Sequence, residues 1–295
     1  MKLQFYPGSG TDYIEFPSTT GNISYTLLIN YDGFSGAPVS QQAVKSPNQH
    51  GMSWLGTIYE PRIVEFEILL ETTDLSELLE EQRNVLVKAF DVSYGMGALV
   101  FTDEDEDRFL LNCISNGKSP QPDTSKTGRT KTAQKYKISL IAHDPFWYSG
   151  SPYTDSFAFV NSPFFPFNFP FNFASSMSQA KTITNAGTRE TPVYVKITGP
   201  IVNPVITNNL TGKVLGFTIN MGAGDYMEVN TDEDELYAFY TDSGVEENGF
   251  PYLTAATTLR EFVLQPGDNP LTLTGTGYNA NTNVVIEWSD KYTGV

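Results

Sequence analysis

The chain alternates apolar and polar positions over short stretches for most of its length, the spacing of half-buried strands, and departs from it clearly once. Tyr136 to Ala142 alternates in this way, as do Ile63 to Glu71, Ala98 to Thr102 and Arg108 to Ser115, and Glu15 to Asn30 reads as strand material turning at Thr20-Gly21-Asn22. The departure is Asp74 to Phe90. There Leu75, Leu78, Leu79, Gln82, Val85, Leu86, Ala89 and Phe90 recur every three to four residues opposite Glu80, Glu81, Arg83 and Asn84, which predicts one amphipathic helix. Asp74 with Glu77 gives it a capping-box start and Lys88 suits its end. The spacing places Leu78, Leu79 and Leu86 in the core.

After position 175 the pattern is short strands at near-regular intervals: Thr191 to Ile197, Gly216 to Asn220, Tyr226 to Asn230, Leu236 to Tyr240, Glu261 to Leu264, Leu271 to Thr274 and Asn283 to Trp288. Turn residues separate them, which predicts a jelly-roll sandwich. Between the halves lies a phenylalanine-proline passage, Phe157 to Phe173, broken by Pro163, Pro166 and Pro170; the prolines exclude a helix or central strand. Burying one Phe is worth roughly 1.5 to 3 kcal/mol, so the passage is expected to pack between domains or subunits, with Phe164, Phe165, Phe167, Phe169 and Phe171 as the packing residues. The expected division is 1–150 for the first domain and 151–295 for the second, with 151–175 connecting them.

Two polar stretches interrupt the first half. Asp32 to Gly56 reads as a long loop, and a loop of that length in a compact domain is functional or reaches a neighbour. Ser115 to Gln134 is a polar arm carrying Lys118, Lys126, Arg129 and Lys131, the one basic island of the chain, expected to dock on an acidic partner.

Composition narrows the function. The 295 residues carry a net charge of -16, with acidic residues in excess in both halves, which argues against tight binding to a phosphate backbone. One cysteine, Cys113, excludes an internal disulfide and a multi-cysteine zinc site, and its apolar neighbours suggest core packing. The acidic run Asp103 to Asp107 is tighter than a calcium loop and reads as a solvated hairpin turn. With only His50 and His143, no Ser-His or Cys-His constellation suggests itself. Gly117-Lys118-Ser119 fails as a phosphate loop, because Asn112 stands where the first Gly belongs and Pro120 stops the helix. No cofactor, metal or catalytic residue is indicated. No apolar stretch is long enough for a membrane span, and the N-terminus carries no apolar signal region, so folding in the cytoplasm where the chain is made is expected.

The order of these features resembles the distal tail (Dit) proteins of phages with long non-contractile tails. The resemblance rests on the β-rich first half with one helix, the strand end His143-Asp144-Pro145-Phe146-Trp147-Tyr148, the Phe-Pro passage, Gly199 to Asn208, Gly224-Asp225, Leu264 to Asn269 and the ending Ile286 to Val295. It implies a mainly β protein: a ring-forming tail-tube-like N-terminal domain with one α-helix, then a galectin-like sandwich. It implies further a virion structural protein at the tail tip, a homo-hexamer that stacks as two rings in the absence of a tail. Its partners would be the tail tube protein, the tail-tip protein and receptor-binding proteins, and DNA would pass through its bore without sequence-specific binding. An acidic or neutral bore, with the basic arm turned away from it, would suit that passage. The competing class is a carbohydrate-binding module for attachment to the host surface, in which an exposed Trp or Tyr stacks on a sugar. Trp288, in an alternating strand, is expected in the core instead, and no sugar site is carried over.

Overall fold

The computed structural model describes residues 2–8, 13–105, 107–125, 128–158 and 176–295. Lys126 and the passage from Phe159 to Phe173 lie outside the described residues, so the packing expected of Phe164, Phe165, Phe167, Phe169 and Phe171 is untouched by it.

The chain forms two compact units, Met1–Gly150 with Tyr292–Val295, and Ser151–Lys291. Both are built of β-strands. In the first unit the strands are β1 Lys2–Tyr6, β2 Ile14–Phe16, β3 Ser18–Thr20, β4 Ile23–Asp32, β5 Val39–Val44, β6 Ser53–Tyr59, β7 Arg62–Glu71, β8 Gly97–Thr102, β9 Arg108–Ser115, β10 Gln121–Pro122, β11 Ala133–Ala142 and β12 Trp147–Ser149. One sheet runs β2-β1-β8-β9-β11-β7-β4-β3 and curls into a nearly closed barrel. Alternation decides what faces inward: Val64, Phe66, Ile68 and Leu70 of β7 and Tyr136, Ile138 and Leu140 of β11 are buried. Outside, Lys135 and Lys137 pair diagonally with Glu67 and Glu65, each at 2.7 Å.

The helix starts as expected. Asp74 is its N-cap, its carboxylate accepting from Glu77 N–H at 2.9 Å, and Glu77 reaches back to the Thr73 N–H at 3.1 Å. It then departs from a regular spiral. Leu75–Glu81 is α-helical (α1), Gln82–Leu86 forms a π turn, and Val87–Ala89 (α2) closes the element. At 3.6 residues per turn, positions four apart drift by about 40° at each step; the wider π turn reduces that drift and keeps a four-spaced row facing the barrel. Leu78, Leu86 and Phe90 are buried in that row, whereas Leu79 is exposed. The placement of Leu79 in the core is therefore corrected.

A larger correction concerns Asp32 to Gly56, read as loop. It holds β5 and the start of β6, which pair antiparallel as a separate two-stranded sheet with a bulge at Gln42/Ala43. The mixture of Gly, Ser, Pro and Gln hid a strand pair that lacks a buried face, and therefore lacks the alternation by which a strand is read.

The second unit is a sandwich of two sheets. One runs β13 Tyr153–Ala158, β23 Asn283–Trp288, β15 Tyr194–Thr198, β19 Tyr226–Asn230, β20 Tyr237–Asp242 and β21 Val245–Asn248. The other runs β14 Ser176–Asn185, β22 Gly267–Thr276, β16 Ile201–Asn208 and β17 Val214–Gly216, with β18 Asn220–Met221 also on β16. Its core includes Val195, Ile197, Met227, Val229, Ile206, Leu271, Leu273, Val284 and Ile286. Phe157, grouped in sequence with the irregular passage, is a buried strand residue of this core. Glu261 to Leu264 is not a strand: Leu259–Glu261 forms a short 3-10 turn, and Leu264 makes an isolated bridge with Thr191.

Candidate assembly surfaces

The β5–β6 hairpin is the least ordinary surface of the first unit. From Gly33 to Tyr59 the sequence holds one formal charge, Lys45. Met52, Trp54, Leu55 and Ile58 are 63%, 66%, 68% and 56% exposed, and Val39 and Val44 are exposed as well. The pairing register sorts them. Val39, Ala43, Trp54 and Tyr59 share one face, where the Trp54 Nε1 donates to Thr57 Oγ1 at 3.3 Å; Val44 and Ile58 lie on the other, and Leu55 is the bulged residue. An isolated two-stranded hairpin is marginal in water, and charge depletion with exposed Trp and Met is the composition of an interface core.

The base of the hairpin is rigid. Gly33 takes φ +84°, and a Cβ there would meet Ile63 O at 2.1 Å. Beside it Arg62, 1% exposed, donates from Nε to Pro145 O at 2.6 Å and from its terminal nitrogens to the carbonyls of Gly33, Ser35 and Thr293. Desolvation lowers its pKa from the usual arginine value. Phe34 stacks on the buried Trp147 with ring centroids 5.7 Å apart, and Tyr59 meets Phe146 edge-on at 4.9 Å. The sequence His143 to Tyr148 thus works as the footing of the hairpin.

A second exposed apolar row lies on the helix. Leu75, Leu79 and Val87, four and eight residues apart, are exposed beside the buried row, with Arg83 between them.

The basic arm does not stand free. Its turn folds on the buried Gln134, whose amide donates to the carbonyls of Asp123, Gly128 and Lys135 at 2.8 to 3.1 Å. Lys118, Arg129 and Lys131 are exposed on it. In the acidic turn Asp103 accepts from the N–H groups of Asp105 and Asp107 at 3.0 and 2.9 Å, closing the β8–β9 hairpin. No group of three or more potential metal ligands occurs among the described residues. Cys113 is buried, and desolvation pushes its thiol up to about 12. No helix among the described residues is long and apolar enough to cross a membrane.

In the second unit Trp288 is buried, with its Nε1 donating to Asp290 at 3.2 Å. The outward face of the six-stranded sheet carries Tyr194 and Lys196, which both donate to Glu228 Oε1 at 2.7 and 2.8 Å. These groups satisfy one another. Tyr237 and Phe239 stack nearby at 5.1 Å.

No family model matches the chain, and no curated protein sequence does. Solved structures do match. The crystal structure of phage SPP1 Dit, described as a paradigm of the hub adsorption apparatus in phages that infect Gram-positive bacteria, superposes with a TM-score of 0.62 at 11% identity, covering 92% of this chain and 98% of that one. The baseplate of phage P2 in its activated conformation with calcium matches at a TM-score of 0.49 and 12% identity over the full length of both chains. The chain has the Dit fold.

Proposed function

We propose that this protein is a structural hub of a phage tail tip: a homo-hexameric ring that joins the tail tube to tail-tip and receptor-binding proteins and lets DNA pass. The observation that carries the reading is the end-to-end match to the Dit fold, with 98% of that chain covered by this one. The hairpin supports it, because a strand pair with apolar groups on both faces and no third strand needs a partner to be stable. The net charge of -16 suits a bore through which a phosphate backbone must slide, and the exposed Lys118, Arg129 and Lys131 are assigned to a protein contact away from it. The division at residue 150, the galectin-like character of the second unit and the virion location belong to the same proposal. The carbohydrate-binding alternative loses its Trp288 platform to the core, and Tyr194, Lys196 and Glu228 are engaged with one another on that sheet face. Negative-stain electron microscopy of the purified protein tests the reading: six-fold rings are expected, and single particles of one chain's size would overturn it.

A further inference from the structure

Tyr292–Val295 belongs to the first unit although it follows the second in sequence. Its contacts converge at the footing of the β5–β6 hairpin. The Val295 N–H donates to Phe34 O at 3.0 Å, and Val295 packs with Tyr292 against the core of the first unit. Gly294 lies so near Ser35 that a Cβ on it would meet the Ser35 carbonyl carbon at 2.7 Å. Thr293 O accepts from Arg62, and Tyr292 meets Phe109 edge-on with ring centroids 5.2 Å apart. Phe34, whose carbonyl this segment holds, is the buried residue that stacks on Trp147 where the chain leaves β4 for the hairpin. Arg62, whose guanidinium it completes, also holds the carbonyls of Gly33 and Ser35. Without Thr293 a buried charged donor would lose its acceptor, and such a group is costlier to leave unmade than a neutral one.

The order of the chain gives this geometry a consequence. Strands β1 to β12 of the first unit all lie before residue 150, and domains fold as units, the N-terminal one first during synthesis. The barrel strands are therefore made before Tyr292–Val295, and the hairpin footing stays incomplete until Ser151–Lys291 has followed. We propose that Tyr292–Val295 is a strap that sets the exit of the β5–β6 hairpin, so that the hairpin is fixed only in a chain made through its second unit. A hairpin with no fixed exit must be ordered when it docks, which weakens docking. Its exposed Met52, Trp54, Leu55 and Ile58 are an association hazard on an unfinished chain, and the late strap keeps such chains out of the assembly. This consequence for assembly rests on the hub reading above.

The test uses the full chain in two forms, Gly294→Val, which crowds Ser35, and the double variant Tyr292→Ser with Val295→Ser, which removes the apolar anchors. Hydrogen exchange followed by mass spectrometry is expected to run about tenfold faster or more in peptides covering residues 31–40, as for a local opening. Strands β7 and β11 and the second unit should exchange as in the wild type. Native mass spectrometry should show both variants assembling about tenfold more weakly or worse, as when an interface loses its preorganisation. Unchanged exchange at residues 31–40 in both variants would overturn the strap, and so would equal loss of protection across the barrel, which would make the segment a general part of the core. A loosened footing with assembly at wild-type strength would overturn the consequence for assembly. A monomeric wild type whose footing still loosens in the variants would overturn the hub reading and leave the strap standing.

Discussion

Two of the hairpins at this molecule's surface are finished in opposite ways. At the end of the second unit's six-stranded sheet, β20 and β21 turn through Ser243 and Gly244, both at positive φ, and the outermost strand reads Val245-Glu246-Glu247-Asn248. Carboxylates on an edge strand repel a second chain. In the first unit β5 and β6 pair with no third strand among the described residues, and their segment has Lys45 as its one charge and an exposed Trp, Met, Leu, Ile and two Val. The first is the finish of a surface that stays in water; the second has the charge-poor, apolar composition of an interface core. The same chain supplies both, so the bare hairpin is a feature of its design rather than of a generally sticky sequence.

The largest effect expected from breaking this contrast follows removal of the bare hairpin. Replacing residues 39–59 by a short Gly-Ser turn is expected to abolish assembly, leaving a folded monomer by light scattering with strand-type circular dichroism. Next in size are the two helix rows, where Leu78→Ala is expected to cost about 2 to 5 kcal/mol in chemical denaturation. Leu79→Ala should cost the monomer no more than about 0.5 kcal/mol, as at an exposed site.

That pair also shows how far the sequence could be read. Strands with one buried face, such as Arg62–Glu71 and Arg108–Ser115, announce themselves by alternation, and the helix does so by its stripe and by Asp74. The π turn does not: Leu78 and Leu79 are equally apolar and both fit a 3.6-residue spacing, and only the extra backbone width at Gln82–Leu86 chooses between them. The β5–β6 hairpin was illegible for the opposite reason, because neither face is buried within one chain. Ile201–Asn208 and Ser176–Asn185 carry no clear strand pattern, because Pro204 interrupts the first and the second is polar at Ser178, Gln179 and Lys181. Of the site residues, the basic arm was visible as charge, while Trp54, Leu55 and Ile58 had no signal beyond being apolar in a polar stretch. Arg62 as the tie between Gly33, Ser35, Pro145 and Thr293 depends on positions far apart in sequence.

A smaller effect sharpens the guarded end. Asp225 accepts from Ser243 N–H at 3.1 Å, Gly222 N–H at 2.7 Å and Tyr240 OH at 3.2 Å. The Ser243 N–H first among these holds its carboxyl below the usual aspartate range. A carboxylate depressed in the fold contributes stability above its unfolded pKa of about 3.9 and loses it as pH falls through the lower folded value. Urea titrations between about pH 2 and 6 should therefore show the wild type losing stability below about pH 4, and Asp225→Asn should flatten that limb.

The smallest effect is expected from unguarding the edge: Glu246→Thr with Glu247→Thr should leave stability within about 0.5 kcal/mol and raise self-association only at high protein concentration, read by sedimentation.

The central claim is that the first unit exists to be one member of a closed ring, and the subunit count of the intact wild-type protein tests it most directly. Native mass spectrometry at micromolar concentration is expected to give six copies, or twelve for stacked rings, of the 32.7 kDa chain. A single 32.7 kDa species, with the bare hairpin intact, would contradict it.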